Sequence, residues 1–188
     1  MHFTLADLVT DITQNGCESG ASLVELEITE DAVKKQFRFL VKDNGKGMTK
    51  EQLAKAMDPF VTDGVKHPHR KVGLGLPFLI QTAEQSGGDW DVQSEKGVGT
   101  TATAWFDTGN FDTPPVGDLP GMFRTVLMFN GPEEIVIRRS GRWEGREPLE
   151  YEFRKTELEE ALGGFESPGA MVTLDQFLRS QEEEEGEE

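Results

Sequence analysis

The chain has 188 residues, an ordinary apolar share of 36% and a formal net charge of −16. That length supports one domain with a full core and a small appendage. The charge argues against nucleic acid or an anionic membrane as a partner, and no apolar run is long enough to span a bilayer. A single cysteine, Cys17, excludes an internal disulfide or a metal site built from this chain's cysteines alone; with no signal peptide at Met1-His2-Phe3-Thr4, a reducing cytoplasm is the simplest expected location.

The first helix is predicted from about Thr4 to Asn15, because Leu5, Leu8, Val9 and Ile12 recur at helical spacing. Thr4 can cap it, with Asp7 three residues on. Asp7, Asp11 and Asn15 fall on one face at four-residue steps. That face reads either as solvated surface or, given the small, glycine-rich Asn15-Gly16-Cys17-Glu18-Ser19-Gly20-Ala21 that follows, as a place where an Asn oxygen and a carboxylate hold Mg2+ and orient a water. Val24, Leu26 and Ile28 alternate with polar residues and predict a strand, Glu30-Asp31 a turn, and Phe37, Phe39 and Val41 the returning strand. That strand runs into Asp43-Asn44-Gly45-Lys46-Gly47-Met48. Asp-Asn-Gly is a common hairpin turn, but it also places a carboxylate at a strand's mouth, with glycines that allow a sharp turn and a close approach to a ligand.

Thr49 caps a short helix predicted over Lys50 to Met57, stopped by Asp58-Pro59-Phe60. Residues 61 to 72 show no period. Counting the histidines, Lys66, His67, His69, Arg70 and Lys71 are the densest basic cluster in the chain. Such a loop reads as solvated surface or as a lid facing phosphates. Gly73-Leu74-Gly75-Leu76-Pro77 then opens a helix ending near Gly87-Gly88, and free N–H groups at such a start suit an anion. Trp90 and Val92 begin a strand, and a turn through Glu95 to Thr101 leads to another strand ending at Phe106.

Five of these stretches, in this order, resemble the GHKL ATPases, the group that includes DNA gyrase, the ninety-kilodalton heat-shock chaperones, sensor histidine kinases and MutL. Asp11 to Ala21 is similar to the family's N box, Asp43 to Met48 to its first glycine box, and Asp58-Pro59-Phe60 to the phenylalanine box of the histidine-kinase branch. Gly73 to Leu76 is similar to the second glycine box and Gly97 to Thr101 to the third. The resemblance implies an α/β two-layer sandwich, a mixed sheet with helices on one face, binding ATP and Mg2+. It implies that Asp43 accepts from the adenine amino group with Thr100 at the same end, and that Asn15 binds Mg2+. Gly73, Gly75 and Leu76 would offer N–H groups to the phosphates, with Leu74 between them. Gly45 and Gly47 would leave room for the nucleotide, with Met48 and Phe60 in their boxes, and Lys66, Arg70 and Lys71 would form the basic lid. Asp11 occupies the position of the family's water-activating Glu but is one methylene shorter, so turnover is expected to be slow, absent or partner-dependent. Only three residues precede the first helix, so no phosphoacceptor helix pair is expected, and kinase activity would act on a separate protein's Ser, Thr or His. A nucleotide sensor without turnover is the third reading. Family members often work as dimers, which makes a homodimer an expectation alongside an unidentified regulatory partner.

The expected organisation is an ATP-binding domain over residues 1–107, a linker over 108–121, a small α+β extension over 122–180 for docking or stabilisation, and a disordered acidic tail over 181–188. Within the extension, Met122 to Phe129 is left as helix or strand, Glu134 to Arg139 is a strand with a turn at Ser140-Gly141-Arg142, and Leu149 to Phe153 is its partner. Thr156 and Thr173 are the expected caps of the last two helices.

Overall fold

The computed structural model describes residues 3–60 and 75–183. Its first helix, α1 (Leu5–Glu18), starts where the sequence places it. The Thr4 hydroxyl accepts from the Asp7 N–H at 3.1 Å and the Asp7 carboxylate accepts from the Thr4 N–H at 2.9 Å. The helix continues past Asn15 to Glu18, with the small Gly16 and Cys17 buried in its last turn. Strands β1 (Leu23–Asp31) and β2 (Gln36–Asp43) pair antiparallel. The expected turn at Glu30-Asp31 lies later. Both residues remain in β1, opposite Phe37 and Gln36, while the Asp31 carboxylate accepts from the Lys34 N–H and Lys35 takes the left-handed conformation at φ 55°.

Helix α2 (Lys50–Met57) has the predicted bounds, because Thr49 and Gln52 form a reciprocal capping box. Helix α3 (Gly75–Gln85) and the hairpin β3 (Asp89–Glu95) and β4 (Gly99–Asp107) follow. The expected linker leads into α4 (Leu119–Leu127), which starts within the 108–121 stretch because Asp118 caps it; the apolar run that followed is thus helix.

Strand β5 (Glu134–Arg142) continues through the expected turn at Ser140-Gly141-Arg142. The Trp143 ring fills the space beside Gly141, whose backbone stays paired on both sides, and β6 (Leu149–Arg154) returns along it. Helix α5 (Lys155–Leu162) lacks a side-chain cap: the Thr156 N–H and hydroxyl both donate to Glu134 instead. Helix α6 (Pro168–Glu182) is capped by Ser167, not Thr173, whose hydroxyl donates to the Gly169 carbonyl inside the helix. Gln181 and Glu182 therefore belong to a helix and not to a disordered tail; Glu184 to Glu188 lie outside the described residues.

Among the described residues, six strands form one mixed sheet in the order β3-β4-β2-β1-β5-β6, antiparallel except for β1 and β5, which are parallel over nine residues. The C-terminal strands thus extend the same sheet. Period-two alternation puts Val24, Leu26, Ile28, Phe37, Phe39, Val41, Ala104, Phe106, Ile135 and Ile137 on one face, where they join α1, α3, α4 and α6 in a continuous core. The opposite face is polar; there Arg138 reaches Glu25 at 3.0 Å, Glu152 at 2.9 Å and Glu27 at 3.5 Å. This is a two-layer α/β sandwich. At the far end of β5, the buried Arg139 guanidinium donates to Glu182 and Glu30, each at 2.9 Å, and the Tyr151 hydroxyl donates to the same Glu182 carboxylate. Among the described residues, no helix is long and apolar enough to cross a membrane.

Candidate functional site

Strand β2 delivers Asp43 to the buried face between Val24 on β1 and Thr100 on β4. The residue is only 8% exposed. Its Oδ1 accepts from the Gly45 N–H at 2.9 Å and the Ser19 hydroxyl at 3.1 Å. Burial pushes the carboxyl above the usual carboxylate range, and the hydrogen bonds from Gly45, Ser19 and the Thr100 backbone offset this only in part.

The glycines around it are needed for close backbone approach. A Cβ on Gly45 would lie 1.9 Å from the Ser19 Oγ, so Ser19 takes the space beside Gly45 that the family resemblance assigns to the nucleotide. Gly47, at φ +63°, would put a Cβ 1.9 Å from the Glu95 carbonyl oxygen; it lines the cavity and also lets the loop close on the β3–β4 hairpin. The Gly97 N–H donates to the Lys46 carbonyl at 2.7 Å and the Lys46 N–H to the Ser19 carbonyl at 3.0 Å. The Ser94 hydroxyl joins this frame, accepting from the Met48 N–H at 2.9 Å and lying 2.7 Å from the Thr100 hydroxyl.

These elements enclose a cavity of about 300 Å³. Asn15, Asp43, Gly47, Met48, Gly75, Leu76 and Thr100, all expected from the sequence, line it together with Ile12, Val41 and Ala102. Asn15 stands against the start of α3, its Nδ2 3.2 Å from where a Cβ on Gly75 would be. Asp11 lies one turn earlier on α1, exposed, and is not among the lining residues. Phe60 is 92% exposed and does not line the cavity, contrary to expectation; the chain leaves α2 through a turn in which the Phe60 N–H donates to Asp58 and the ring stays outside the core. Lys66, Arg70, Lys71, Gly73 and Leu74 lie outside the described residues. Sequence reading did not assign site roles to Ser19, Ser94, Lys46 and Ala56. Ser19 was visible only as a small residue in a small-residue stretch, and nothing local marked Ser94. Buried Cys17 offers no nucleophile, since burial pushes its thiol up to about 12.

The site is thus a mainly apolar cavity with the buried Asp43 carboxylate, the Asn15 amide and the charged Glu18 and Lys46 among its lining. Residues 3–110 match the model of the histidine kinase-, DNA gyrase B- and HSP90-like ATPases. The chain is 34% identical over 80 residues to the sensor histidine kinase ZraS of Escherichia coli (strain K12), a match covering 43% of this chain and 16% of that protein. It is 31% identical over 96 residues to the sensor protein SrrB of Staphylococcus aureus (strain NCTC 8325 / PS 47), covering 50% of this chain and 16% of that one. The matches therefore span a small part of these curated relatives' own length. The catalytic domain of the histidine kinase ThkA aligns at 20% identity with a TM-score of 0.38, over 54% of this chain and 62% of that one. With a family match covering more than half of its length, the chain belongs to the histidine kinase-, DNA gyrase B- and HSP90-like ATPases and carries a histidine kinase-like ATP-binding domain.

Proposed function

We propose that the chain binds ATP with Mg2+ in this cavity and acts as a regulatory module whose turnover is slow or depends on a partner protein. The observation that carries the reading is the buried Asp43 carboxylate in the cavity lining, an acceptor for an adenine amino group in surroundings that make an unused charge costly. Thr100, Met48 and Ser94 shape that end, and Asn15 and the start of α3 form the other side. Among the described residues there is no group of three or more His, Cys, Asp or Glu able to hold a metal by itself. Mg2+ would therefore rest on Asn15 together with the nucleotide's own phosphate oxygens, where it would neutralise phosphate charge. That donor set fits a hard cation that keeps several waters. Asp11 would take the proton of an attacking water or hydroxyl, and its side chain, one methylene shorter than a Glu, favours slow turnover that a partner completes.

The names of the sensor histidine kinases matched by the chain favour a second reading, phosphoryl transfer to a separate protein. Calorimetric titration of Mg2+-ATP into the parent and Asp43→Ala tests the site, and unchanged affinity in the variant would overturn it. Product analysis then separates the readings. ADP and free phosphate that disappear in Asp11→Asn support a switch driven by hydrolysis, whereas labelled partner protein supports a kinase.

A further inference from the structure

We propose that residues 115–134, which lie beyond the stretch matched by the family model, position α1 for nucleotide binding, so that the C-terminal part of the chain sets the affinity of the cavity. The inference rests on the nucleotide site proposed above and concerns its control. Helix α1 carries Asn15 on the cavity wall and leads to Ser19, which holds Asp43. The first N–H groups of a helix have no partner within it. Here the Leu5 and Ala6 N–H groups each donate to a later carbonyl, Pro115 and Val116, at 2.9 Å. Next to them Gly117, at φ +90°, comes so close that a Cβ would lie 2.6 Å from the Thr4 capping hydroxyl. At the other end, Gly131, at φ +120°, packs its backbone against the Cys17 carbonyl oxygen, 2.4 Å from where a Cβ would be. Three residues on, the Glu134 N–H donates to the Ser22 carbonyl at 3.0 Å. Ser22 is in turn tied to the loop after Asp43: its N–H donates to the Asn44 side-chain oxygen at 2.9 Å, and the Asn44 amide donates back to the Ser22 hydroxyl at 2.9 Å.

Both ends of α1 therefore meet the same later segment, and three residues past Gly131 that segment also bonds Ser22, which is tied through Asn44 to the residue beside Asp43. A shift of residues 129–134 would move the Cys17 end of α1, and with it Asn15 and Ser19 on either side. By linkage, a ligand that needs α1 in place should also stabilise that segment.

The test uses the full chain. Gly131→Ala places a methyl group where the Cys17 backbone stands, and should raise the Kd for Mg2+-ATP about five-fold or more. Gly117→Ala perturbs the opposite end and should act in the same direction, which keeps the test open if Gly131→Ala does not fold. Arg139→Met, a control in the same C-terminal part but away from α1, should destabilise the chain while leaving the Kd of the folded protein within about two-fold. Hydrogen exchange adds a readout that stability alone does not supply: Mg2+-ATP should slow exchange of the Glu134 amide more than that of amides in β6. Parent-like affinity in both glycine variants, or equal loss in Arg139→Met, would overturn the inference while leaving the nucleotide site standing. Failure of the parent to bind Mg2+-ATP would overturn both.

Discussion

Replacing Asp43 by Asn should move stability and binding in opposite directions. The carboxylate is 8% exposed, and burial raises its pKa above the unfolded value. The sign follows from linkage: the burial penalty is absent below the unfolded pKa, where the acid is neutral in both states, and is fully present once pH exceeds the raised folded pKa. Above that folded pKa the ionised side chain therefore costs stability. Asp43→Asn removes that charge and keeps an oxygen able to accept from Gly45 and Ser19, so the free protein should melt no lower than the parent. The nucleotide loses its acceptor and meets an N–H donor instead. A hydrogen bond to a charged group contributes about 1.5–3 kcal/mol, so affinity should fall about ten- to a hundred-fold or more. Calorimetric titration and thermal melts on the same samples read both quantities. In the parent, affinity should also fall on acidification at a higher pH than for an ordinary carboxylate. A variant that melts well below the parent, or binds as tightly, would refute the reasoning.

Three further outcomes are expected. Asn15→Ala should weaken Mg2+-ATP far more than metal-free ATP in paired titrations, and an equal loss would exclude Asn15 as the metal ligand. Gly47→Ala combines a left-handed backbone with a 1.9 Å approach to the Glu95 carbonyl, which cannot move as a flexible side chain would. It should cost about 3 kcal/mol, a fall of about 6 °C or more in Tm, together with nucleotide binding. Arg139→Met strands Glu30 and Glu182, whose side chains keep 21% and 19% of their exposure, so the loss in urea denaturation should be near the low end of the range for broken buried pairs, about 3 kcal/mol. Arg139→Met combined with Glu182→Met should regain part of it, and a neutral single variant would show that the cluster contributes nothing.

What the sequence revealed followed the range of the interactions concerned. Helix α2 could be read to its bounds because Thr49 and Gln52 cap it locally. Period-two alternation located β1, β2 and β5, since one face of the sheet is buried and the other mostly wet; β4 showed through its β-branched and aromatic residues and β6 as a hairpin partner. Gly141 misled because a glycine between Ser and Arg reads as a turn, whereas its bare backbone here makes room for Trp143. Thr173 also misled: the helix begins earlier, where Ser167 caps it and Pro168 takes the first helical position. In the site, Asn15, Asp43, Gly47, Met48, Gly75, Leu76 and Thr100 from the motifs line one cavity, whereas Asp11 and Gly45 do not. Ser19 and Ser94 were missed because their partners, Asp43 and Met48, lie 24 and 46 positions away along the chain. Phe60 shows the converse: its motif is present, but the ring lies outside the cavity.

The parallel pairing of β1 with β5 has a consequence for how the chain reaches this structure. It joins residues more than one hundred positions apart, with Leu23 opposite Glu134 and Asp31 opposite Arg142. Until residues 134–142 leave the ribosome, β1 is an edge strand, with the backbone groups of every other residue unpaired within the sheet. The part that matches the family model is made first and must wait, sticky and incomplete, for the part that does not. Parallel pairing across such a separation is intrinsically slow, so the order of synthesis prolongs the time that this edge stands open.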